Sequence, residues 1–285
     1  MIQLEEFYKR YKLSYDLGAP DLQQLKCVVE YSMRLLNNCE RVNYTHYHKD
    51  YFGFKYGSEM SRPVLRCLYL NSFAEFSQGL DTVVSYIDTQ NNKILVPPAL
   101  IDAILYTALM SVSSCYDLFK SGSRKTPGTF YEVLVGHLMS LMLPSYRQGK
   151  HIEIPGESEK ITTDIVFDNG SHGIAIPVKI TTRERIVQPF AHQRIINNVF
   201  GNYFSSVFIG GSETKLGKQT RHVDDICVPG TIKLFVNHLS EISGFYYLDP
   251  PARYMQEDMQ RVVKVSTLGH LLNSDLSAMI NPMWF

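Results

Sequence analysis

Two charged residues in a predicted hairpin have the types and the spacing of a hydrolytic site. Asp164 lies in residues 161–167 (ITTDIVF) and Lys179 in residues 173–180 (GIAIPVKI), so adjacent strands can bring a carboxylate beside an ammonium group. A carboxylate binds a hard cation such as Mg²⁺ together with substrate phosphate. A lysine can orient or deprotonate a water and stabilise charge on a phosphate oxygen. The pair therefore predicts metal-assisted phosphodiester hydrolysis, although the strand pattern alone favours a partly exposed salt bridge.

The hairpin that positions this pair is predicted from its turn and its alternation. Residues 168–170 (DNG) are a strong turn signal between the two strands. In the second strand, four alternating apolar residues are expected to face a core and to leave Lys179 on the opposite, non-core face. These four are Ile174, Ile176, Val178 and Ile180. The first strand is expected to carry Thr162, Asp164 and Val166 on one face and Ile161, Ile165 and Phe167 on the other.

The remaining pattern predicts a mixed sheet covered by helices, which is an α/β (α+β) fold. A largely helical N-terminal part is expected over residues 1–120 and a core over residues 121–285. Further helices are predicted after Pro20-Asp21 and over residues 98–120, 131–143 and 184–200. Further strands are predicted over residues 203–209 and 231–236, and loops over residues 43–63, 121–130 and 211–230.

Composition excludes several classes of protein. With 285 residues and 45% hydrophobic content, the chain is neither disordered nor of low complexity. Its 28 Lys+Arg balance 28 Asp+Glu, which argues against a protein that coats nucleic acid but permits a local basic cleft. Five cysteines without C-x-x-C spacing predict reduced thiols. No apolar run approaches the roughly 18 residues of a membrane span, so a soluble intracellular protein is expected.

The segment from Asp164 to residues 177–179 (PVK) resembles the PD…(D/E)xK signature of the restriction-endonuclease-like nucleases. Pro177 stands where the triplet usually has an acid. That departure resembles one branch of the type II restriction endonucleases, which cut CCGG, CCNGG or CCWGG sites and in which a carboxylate has migrated to the next helix. The resemblance implies a restriction-endonuclease-like core, with a mixed central sheet flanked by helices in a single catalytic domain.

Two further segments carry the same resemblance. Residues 128–136 (GTFYEVLVG) resemble the helix that supplies an additional acid in these enzymes, which here is Glu132. Residues 179–185 (KITTRER) and 191–193 (AHQ) resemble the K-x-T-x-R…A-H-E block. The match is ordered and covers residues 128–195, about a quarter of the chain.

The migrated carboxylate is the one position at which the resemblance fails. It is expected 13 or 14 residues after Lys179, where this chain has His192 and Gln193. Gln193 can still bind a metal through its carbonyl oxygen or hold a metal-bound water, but it lacks the charge. Asp164 and Glu132 are therefore the expected metal ligands, and Lys179 and Gln193 complete the expected catalytic set, with His192 or Glu184 as alternatives to Gln193.

The contiguous residues Arg183, Glu184 and Arg185 are predicted to read bases. Arginine is bidentate to guanine O6 and N7, and glutamate accepts from cytosine N4 in the major groove. In the resembling enzymes a contiguous R-E-R belongs to interrupted CCNGG-type sites, which favours such a core here, with or without flanking bases. The alternative is a solvated helix face with mixed charges.

Other positive side chains are candidates for phosphate contacts, which position a protein on DNA without specifying sequence. They are Arg124, Lys125, Lys218 and Arg221. The loop over residues 211–230 either reads flanking bases or closes the sheet. His46 and His48 could be metal ligands, but no third ligand is near in the sequence, and ordinary loop histidines are favoured.

Taken with the resemblance, these residues predict a Mg²⁺-dependent type II restriction endonuclease that hydrolyses double-stranded DNA at a short palindromic G/C-rich site and leaves 5′-phosphate ends. A palindrome requires two-fold symmetric reading, so a homodimer is expected, with contacts from residues 1–120. The resemblance also implies a cytoplasmic protein of a bacterium or archaeon, with a cognate DNA methyltransferase as its counterpart. The alternatives are a structure- or damage-selective repair nuclease and a non-catalytic DNA-binding protein on the same scaffold.

Overall fold

The computed structural model describes residues 1–88, 96–120, 122, 125–217 and 220–280, with only the backbone of Arg183 and Glu184. The chain divides into two compact units. Unit 1 comprises Met1–Leu141 and Thr214–Asp225, and unit 2 comprises Met142–Glu213 and Ile226–Phe285.

Two helices of unit 1 begin where local signals predict. Its first four helices are α1 (Ile2–Asp16), α2 (Leu22–Leu36), α3 (Phe73–Asp88) and α4 (Pro98–Phe119). Asp21 caps α2 by accepting from the backbone N–H groups of Gln23 and Gln24 at 3.0 and 3.2 Å. Pro98 occupies the first turn of α4, where its missing N–H costs nothing. The predicted helices after Pro20-Asp21 and over residues 98–120 are confirmed.

Helix α4 corrects the expectation that no apolar run approaches the length of a membrane span. By length and composition it could cross a membrane, but 83% of its most apolar window is buried inside the protein. A core helix of a soluble protein has these properties, because an element buried all round needs no polar face.

The predicted loop over residues 43–63 is wrong, because much of it forms a small antiparallel sheet. Strand β2 (Tyr51–Tyr56) pairs with β1 (Glu40–Tyr44), β3 (Glu59–Met60) and β4 (Val64–Leu65). The aromatic side chains of β2 are buried on both of its faces, so the strand lacks the apolar–polar alternation by which a half-buried strand is recognised.

Helix α5 (Lys125–Met142) begins before the predicted start at residue 131. Pro127 and Gly128 indicated a loop, but proline is tolerated in the first turn of a helix. His137 on this helix is buried between the rings of Tyr11 and Tyr15, at centroid distances of 4.5 and 5.2 Å. Among the described residues, neither of its ring nitrogens has a hydrogen-bond partner.

Unit 2 continues the chain with the hairpin strands and the helix that follows them. Its elements up to residue 212 are β5 (Arg147–Glu153), β6 (Lys160–Asp168), β7 (Gly173–Ile176), β8 (Val178–Lys179), a 3-10 helix (Arg183–Ile186), α6 (Val187–Phe200) and β9 (Phe204–Ser212). The hairpin, the helix predicted over residues 184–200 and the strand predicted over residues 203–209 are confirmed. The helix starts as a 3-10 turn.

The next segment returns to unit 1 as a small antiparallel hairpin. Its strands are β10 (Thr214–Leu216) and β11 (Val223–Asp225), which pair only with each other and so do not close the large sheet. A parallel bridge joins His222 to Thr45. The predicted loop over residues 211–230 is therefore wrong for these two short strands.

The end of the chain completes unit 2. Its elements are α7 (Pro229–His238), β12 (Gly244–Asp249), a 3-10 helix (Ala252–Tyr254), α8 (Glu257–Gln260), β13 (Val265–Thr267), α9 (Leu268–His270), a π-helical turn (Leu271–Asp275) and α10 (Leu276–Ile280). The strand predicted over residues 231–236 is wrong, since this segment is α7. Ile232, Phe235 and Val236 have helical spacing and pack into one core cluster.

The large sheet of unit 2 has the order β13-β12-β9-β7-β6-β5, with β8 also paired to β9. The pairs around β9 and β12 are parallel, whereas β5–β6 and β6–β7 are antiparallel. Helix α6 packs against β9. The predicted mixed central sheet flanked by helices is confirmed.

Both faces of the hairpin strands are buried, which corrects the expectation of one core face. Ile174 and Ile176 are buried as predicted, but Ala175 is also buried, in a second core cluster with Val166 and Ile196. Ile161 lies in that same cluster. Ile161 and Val166 are an odd number of residues apart and still lie in one cluster, because the pairing of β5 with β6 shifts register between them.

Candidate active site

The turn of the hairpin sets the register of the strands that carry the predicted pair. Asp168 Oδ1 accepts from the N–H of Gly170 at 2.9 Å, and Asn169 Oδ1 accepts from the N–H of Ser171 at 2.9 Å. Gly170 has a φ of 86°, a left-handed conformation that glycine adopts without strain. Strand β7 then pairs with β6 from Asp168–Gly173 to Ile165–Ile176.

Pro177 ends this pairing just before the predicted lysine. Proline has no N–H to donate to a ladder, and the pairing with β6 stops here while the chain continues beside β9 as β8, in the register that β7 already has. The carbonyl of Pro177 accepts from Ile209 N at 3.0 Å, and Lys179 pairs with Gly210. The position that resembled a missing acid is therefore the point at which the strand loses β6 as a neighbour and keeps β9.

The structure brings Asp164 and Lys179 into direct contact. Lys179 Nζ donates to Asp164 Oδ2 at 2.6 Å, and the N–H of Val178 donates to the same oxygen at 2.7 Å. The two charged side chains are only 19% and 18% exposed. A pair held this tightly has fixed geometry and is shielded from much of the solvent, which strengthens its electrostatic interactions.

His192 on α6 lies within electrostatic range of both members of this pair. Burial lowers the pKa of His192, the charge of Asp164 opposes that shift, and the charge of Lys179 adds to it. The imidazole is therefore neutral at pH 7, with one donor and one acceptor nitrogen.

Gln193, the neighbouring candidate, is buried and bonded within the protein. Its Nε2 donates to Asn197 Oδ1 at 2.5 Å and to the carbonyl of Phe204 at 3.1 Å, and its Oε1 accepts from Ser206 Oγ. These bonds tie α6 to β9. A catalytic or metal-binding role for Gln193 stays a prediction, and it would require this carbonyl oxygen to exchange its partner.

The oxygen atoms that Asp164 offers fit a hard divalent cation that needs few protein ligands. Both hydrogen bonds described for the carboxylate end on Oδ2, so Oδ1 is the oxygen that can bind a cation. The described residues contain no group of three or more His, Cys, Asp or Glu that could hold a metal. Mg²⁺ is commonly bound by one or two carboxylates plus water and substrate phosphate, so the site fits Mg²⁺ without a protein cage.

The expected second acid, Glu132, lies on α5 in unit 1 and is half-buried. The charge of Glu132 acts on Tyr8 of the same unit, whose pKa is raised mainly by burial and further by the charges of Tyr116 and Glu132. The role of Glu132 as a metal ligand stays a prediction.

The segment predicted to read bases is the short 3-10 helix Arg183–Ile186 that begins three residues after β8. The N–H of Arg185 donates to the carbonyl of Thr182 at 3.0 Å, and the Arg185 side chain is exposed. Ile186 is buried in the core and anchors the other end of the turn. The side chains of Arg183 and Glu184 lie outside the described residues.

The candidate phosphate contacts are only partly described. Lys125 is exposed at the first residue of α5, and Arg221 is exposed with a positive φ of 51° in the β10–β11 turn. Arg124 and Lys218 lie outside the described residues. All four assignments stay predictions.

The side chain of His46 is hydrogen-bonded to the backbone of the residues that follow it in the loop. Its Nδ1 accepts from the N–H groups of His48 and Lys49 at 3.1 and 3.0 Å, while its Nε2 faces Asp225 at 3.4 Å. With Nδ1 occupied as an acceptor, the imidazole is oriented by backbone N–H groups and a carboxylate. Its side chain is only 3% exposed, unlike that of an ordinary surface-loop histidine.

One buried acid at the site was missed by the sequence analysis. Glu213 follows β9 directly, is fully buried and accepts hydrogen bonds from Thr182. The two residues are 31 positions apart, so no local pattern connects them. An acid within a run of apolar and small residues after a predicted strand was the only available signal.

The fold and the site can be compared with solved structures. The chain is 34% identical to the protein in the crystal structure of the Type IIP restriction endonuclease Kpn2I, with a TM-score of 0.88 over 99% of each chain. A complex of the restriction endonuclease PspGI with substrate DNA also matches, at 13% identity and a TM-score of 0.44 over 73% of this chain and 92% of that one. This second likeness is too weak to carry an argument. Neither a protein-family model nor a curated protein matches the chain.

Proposed function

The chain belongs to the type II restriction endonucleases, and from this premise we propose that it is a Mg²⁺-dependent homodimer that cuts double-stranded DNA at a short palindromic G/C-rich site and leaves 5′-phosphate ends. Its family makes it a site-specific endonuclease acting on DNA, an enzyme class that generally uses divalent metal ions. The observation that carries the proposal is the contact of Lys179 with Asp164 at 2.6 Å on a hairpin whose chain runs directly into the exposed Arg185.

Asp164 is proposed to hold the cation through Oδ1, with Glu132 as the second acid. When bound, the cation supplies Lewis-acid stabilisation of charge on the scissile phosphate. Lys179 is proposed to orient the attacking water and to stabilise negative charge on a phosphate oxygen. The Val178 N–H holds the carboxylate of Asp164 in place by its bond to Oδ2. His192, neutral beside the pair, is proposed to hydrogen-bond a water or a phosphate oxygen.

Specificity is proposed to come from Arg183, Glu184 and Arg185. Each arginine can hold a guanine, and the glutamate can accept from cytosine N4, so the three residues suit adjacent G·C pairs. A contiguous CCGG core and an interrupted CCNGG core both fit this chemistry. The interrupted core that the sequence analysis favours stays a prediction.

A palindromic site explains why a homodimer is proposed. Two-fold symmetric DNA is read by two copies of the same segment, which places one active site on each strand. A cognate methyltransferase is proposed as the counterpart that protects host DNA. Methylation of the cytosines that Glu184 contacts would then block cutting.

The direct test is digestion of DNA of known sequence by the purified protein with Mg²⁺, followed by sequencing of the ends. Matched duplexes that differ only in CCGG or CCNGG cores assign the core, and ligation without prior phosphorylation shows 5′-phosphate ends. Discrete fragments with one shared, palindromic end sequence are expected. Specific binding without cutting at any enzyme excess would instead support the non-catalytic alternative, and cutting without a shared sequence would contradict the base-reading proposal.

A further inference from the structure

A buried carboxylate joins the end of the central strand to the start of the base-reading segment. Glu213 follows β9 and is 0% exposed. Its two oxygens accept from the N–H of Thr182 at 3.1 and 3.0 Å, and Oε1 also accepts from Thr182 Oγ1 at 2.5 Å. The hydroxyl of Tyr247 lies 3.4 Å from the same oxygen. Burying a carboxylate is unfavourable unless such donors compensate it.

Thr182 is the residue from which the base-reading segment starts. It is 2% exposed and is the N-cap of the 3-10 helix Arg183–Ile186. Its hydroxyl bonds Glu213 and makes no cap hydrogen bond of its own, while its carbonyl accepts from the N–H of Arg185 at 3.0 Å. Glu213 therefore holds the first residue of the turn, and buried Ile186 holds the last.

Strand β9, which Glu213 follows, also pairs with the strand that carries Lys179, the proposed catalytic lysine. Gly210 of β9 is in register with Lys179, and the N–H of Ser212 donates to the carbonyl of Ile180 at 2.9 Å. Glu213 continues this series of contacts to Thr182 by a side chain, where the backbone pairing has ended. One strand thus sets the spacing between Lys179, which is proposed to orient the attacking water, and the residues that are proposed to read the bases.

We propose that Glu213 is a positioning residue for DNA recognition, which acts through Thr182 to hold the base-reading segment in register with Lys179. This inference rests on the proposed function. A carboxylate suits the task because both of its oxygens are acceptors and Thr182 presents only donors to it. Glutamine at this position would offer one acceptor and turn an NH₂ group toward those donors.

The test compares Glu213→Gln and Thr182→Val with a matched control, Asp249→Asn. Asp249 is also a buried carboxylate at the end of a neighbouring strand, 2% exposed, and it accepts from Ser212 Oγ at 3.1 Å. For each variant, cleavage rates are measured at the preferred site and at sites with a single substituted base, together with the melting temperature. Glu213→Gln and Thr182→Val are expected to lower the ratio of the two rates by about tenfold or more, the scale of one bidentate base contact. Asp249→Asn is expected to leave the ratio unchanged, and Thr182→Ser to keep it.

A second readout does not depend on cleavage. Amide hydrogen exchange of Arg183–Ile186 is expected to accelerate in Glu213→Gln and not in Asp249→Asn, because only the first change releases Thr182. Unchanged discrimination and unchanged exchange in Glu213→Gln would overturn the inference. So would an equal loss of discrimination in Asp249→Asn, which would reduce Glu213 to general stability. If the wild-type protein neither cuts nor binds a preferred site while exchange responds as expected, the proposed function fails and Glu213 is left with a purely structural task.

Discussion

Replacing Lys179 with alanine tests the catalytic pair most directly. The substitution removes the ammonium group that lies 2.6 Å from Asp164 Oδ2 and leaves that oxygen with the N–H of Val178. Asp164 therefore keeps one hydrogen bond and its place in β6. The cation site should persist, while the group that orients water and stabilises phosphate charge is lost.

The expected magnitudes follow from this local structure. A positioned acid–base or charged group typically contributes about 10²–10⁴-fold in rate, or ~3–5 kcal/mol of transition-state stabilisation. A hydrogen bond to a charged group contributes about 1.5–3 kcal/mol to folding. Since both side chains are about a fifth exposed, we expect the lower end of that range and a melting temperature lowered by about 2–6 °C.

The assay separates chemistry from binding and from folding. Cleavage of a plasmid with one preferred site is followed with Mg²⁺, and site-specific binding is measured with Ca²⁺ in place of Mg²⁺. The matched control is Lys160→Ala, which removes a lysine of β6 that donates to Glu153 of β5 at 2.7 Å. The side chains of this control pair are 50% and 78% exposed. The control should leave cleavage, binding and melting temperature unchanged, because exposed pairs contribute little.

Two results would refute this reasoning. Cleavage within a few-fold of wild type in Lys179→Ala would remove Lys179 from the chemistry. Loss of specific binding in parallel with cleavage would show that Lys179 supports the DNA-binding surface instead. A rate loss in Lys160→Ala equal to that of Lys179→Ala would show that the assay responds to net charge.

Three further changes probe neighbouring residues. Arg185→Ala should weaken specific binding by about 1–3 kcal/mol, measured against a non-cognate duplex. Arg194 is an exposed arginine on α6, and its replacement by alanine should not weaken specific binding. Equal effects of the two substitutions would reject base reading by Arg185. Gln193→Glu should destabilise the fold by about 1–3 kcal/mol, because a carboxylate cannot donate to the carbonyl of Phe204; a gain in cleavage would instead identify Gln193 as a metal ligand. Burial lowers the pKa of His137 from 6.5 to about 4, so the unfolded chain binds a proton at a higher pH than the folded protein does. The free energy of unfolding should therefore be unaffected by this group above pH 6.5 and should fall as the pH drops from 6.5 toward 4, by about 3 kcal/mol in all. Unfolding curves of His137→Phe should lack that component, and an unchanged pH dependence would contradict it.

Several elements were predictable because their signals are local. Asp21 precedes α2 and caps it, Pro98 begins α4, and residues 168–170 turn the hairpin. Each of these residues acts on backbone groups within a few positions of itself. The pairing of Asp164 with Lys179 follows from the hairpin, so the core of the site could be predicted too.

Other elements depend on contacts that a linear pattern does not contain. The segment over residues 231–236 has β-branched and aromatic residues typical of a strand, but it packs as α7 through the spacing of Ile232, Phe235 and Val236. The aromatic run of β2 lacks alternation because both of its faces are buried. Tertiary packing overrides intrinsic preference in both segments.

The sequence by itself determined the composition of the candidate site: a carboxylate and a lysine on one hairpin, followed by a segment with two arginines. Hydrogen bonds between near neighbours in the chain are enough to specify that arrangement. Only the tertiary structure decided that the Gln193 side chain bonds to β9 while the charges of Asp164 and Lys179 act on His192, since adjacent residues of a helix point about 100° apart and the docking of α6 orients both. It also decided that Glu213 meets Thr182, because parallel strands join residues far apart in the chain and their register is set by the whole sheet.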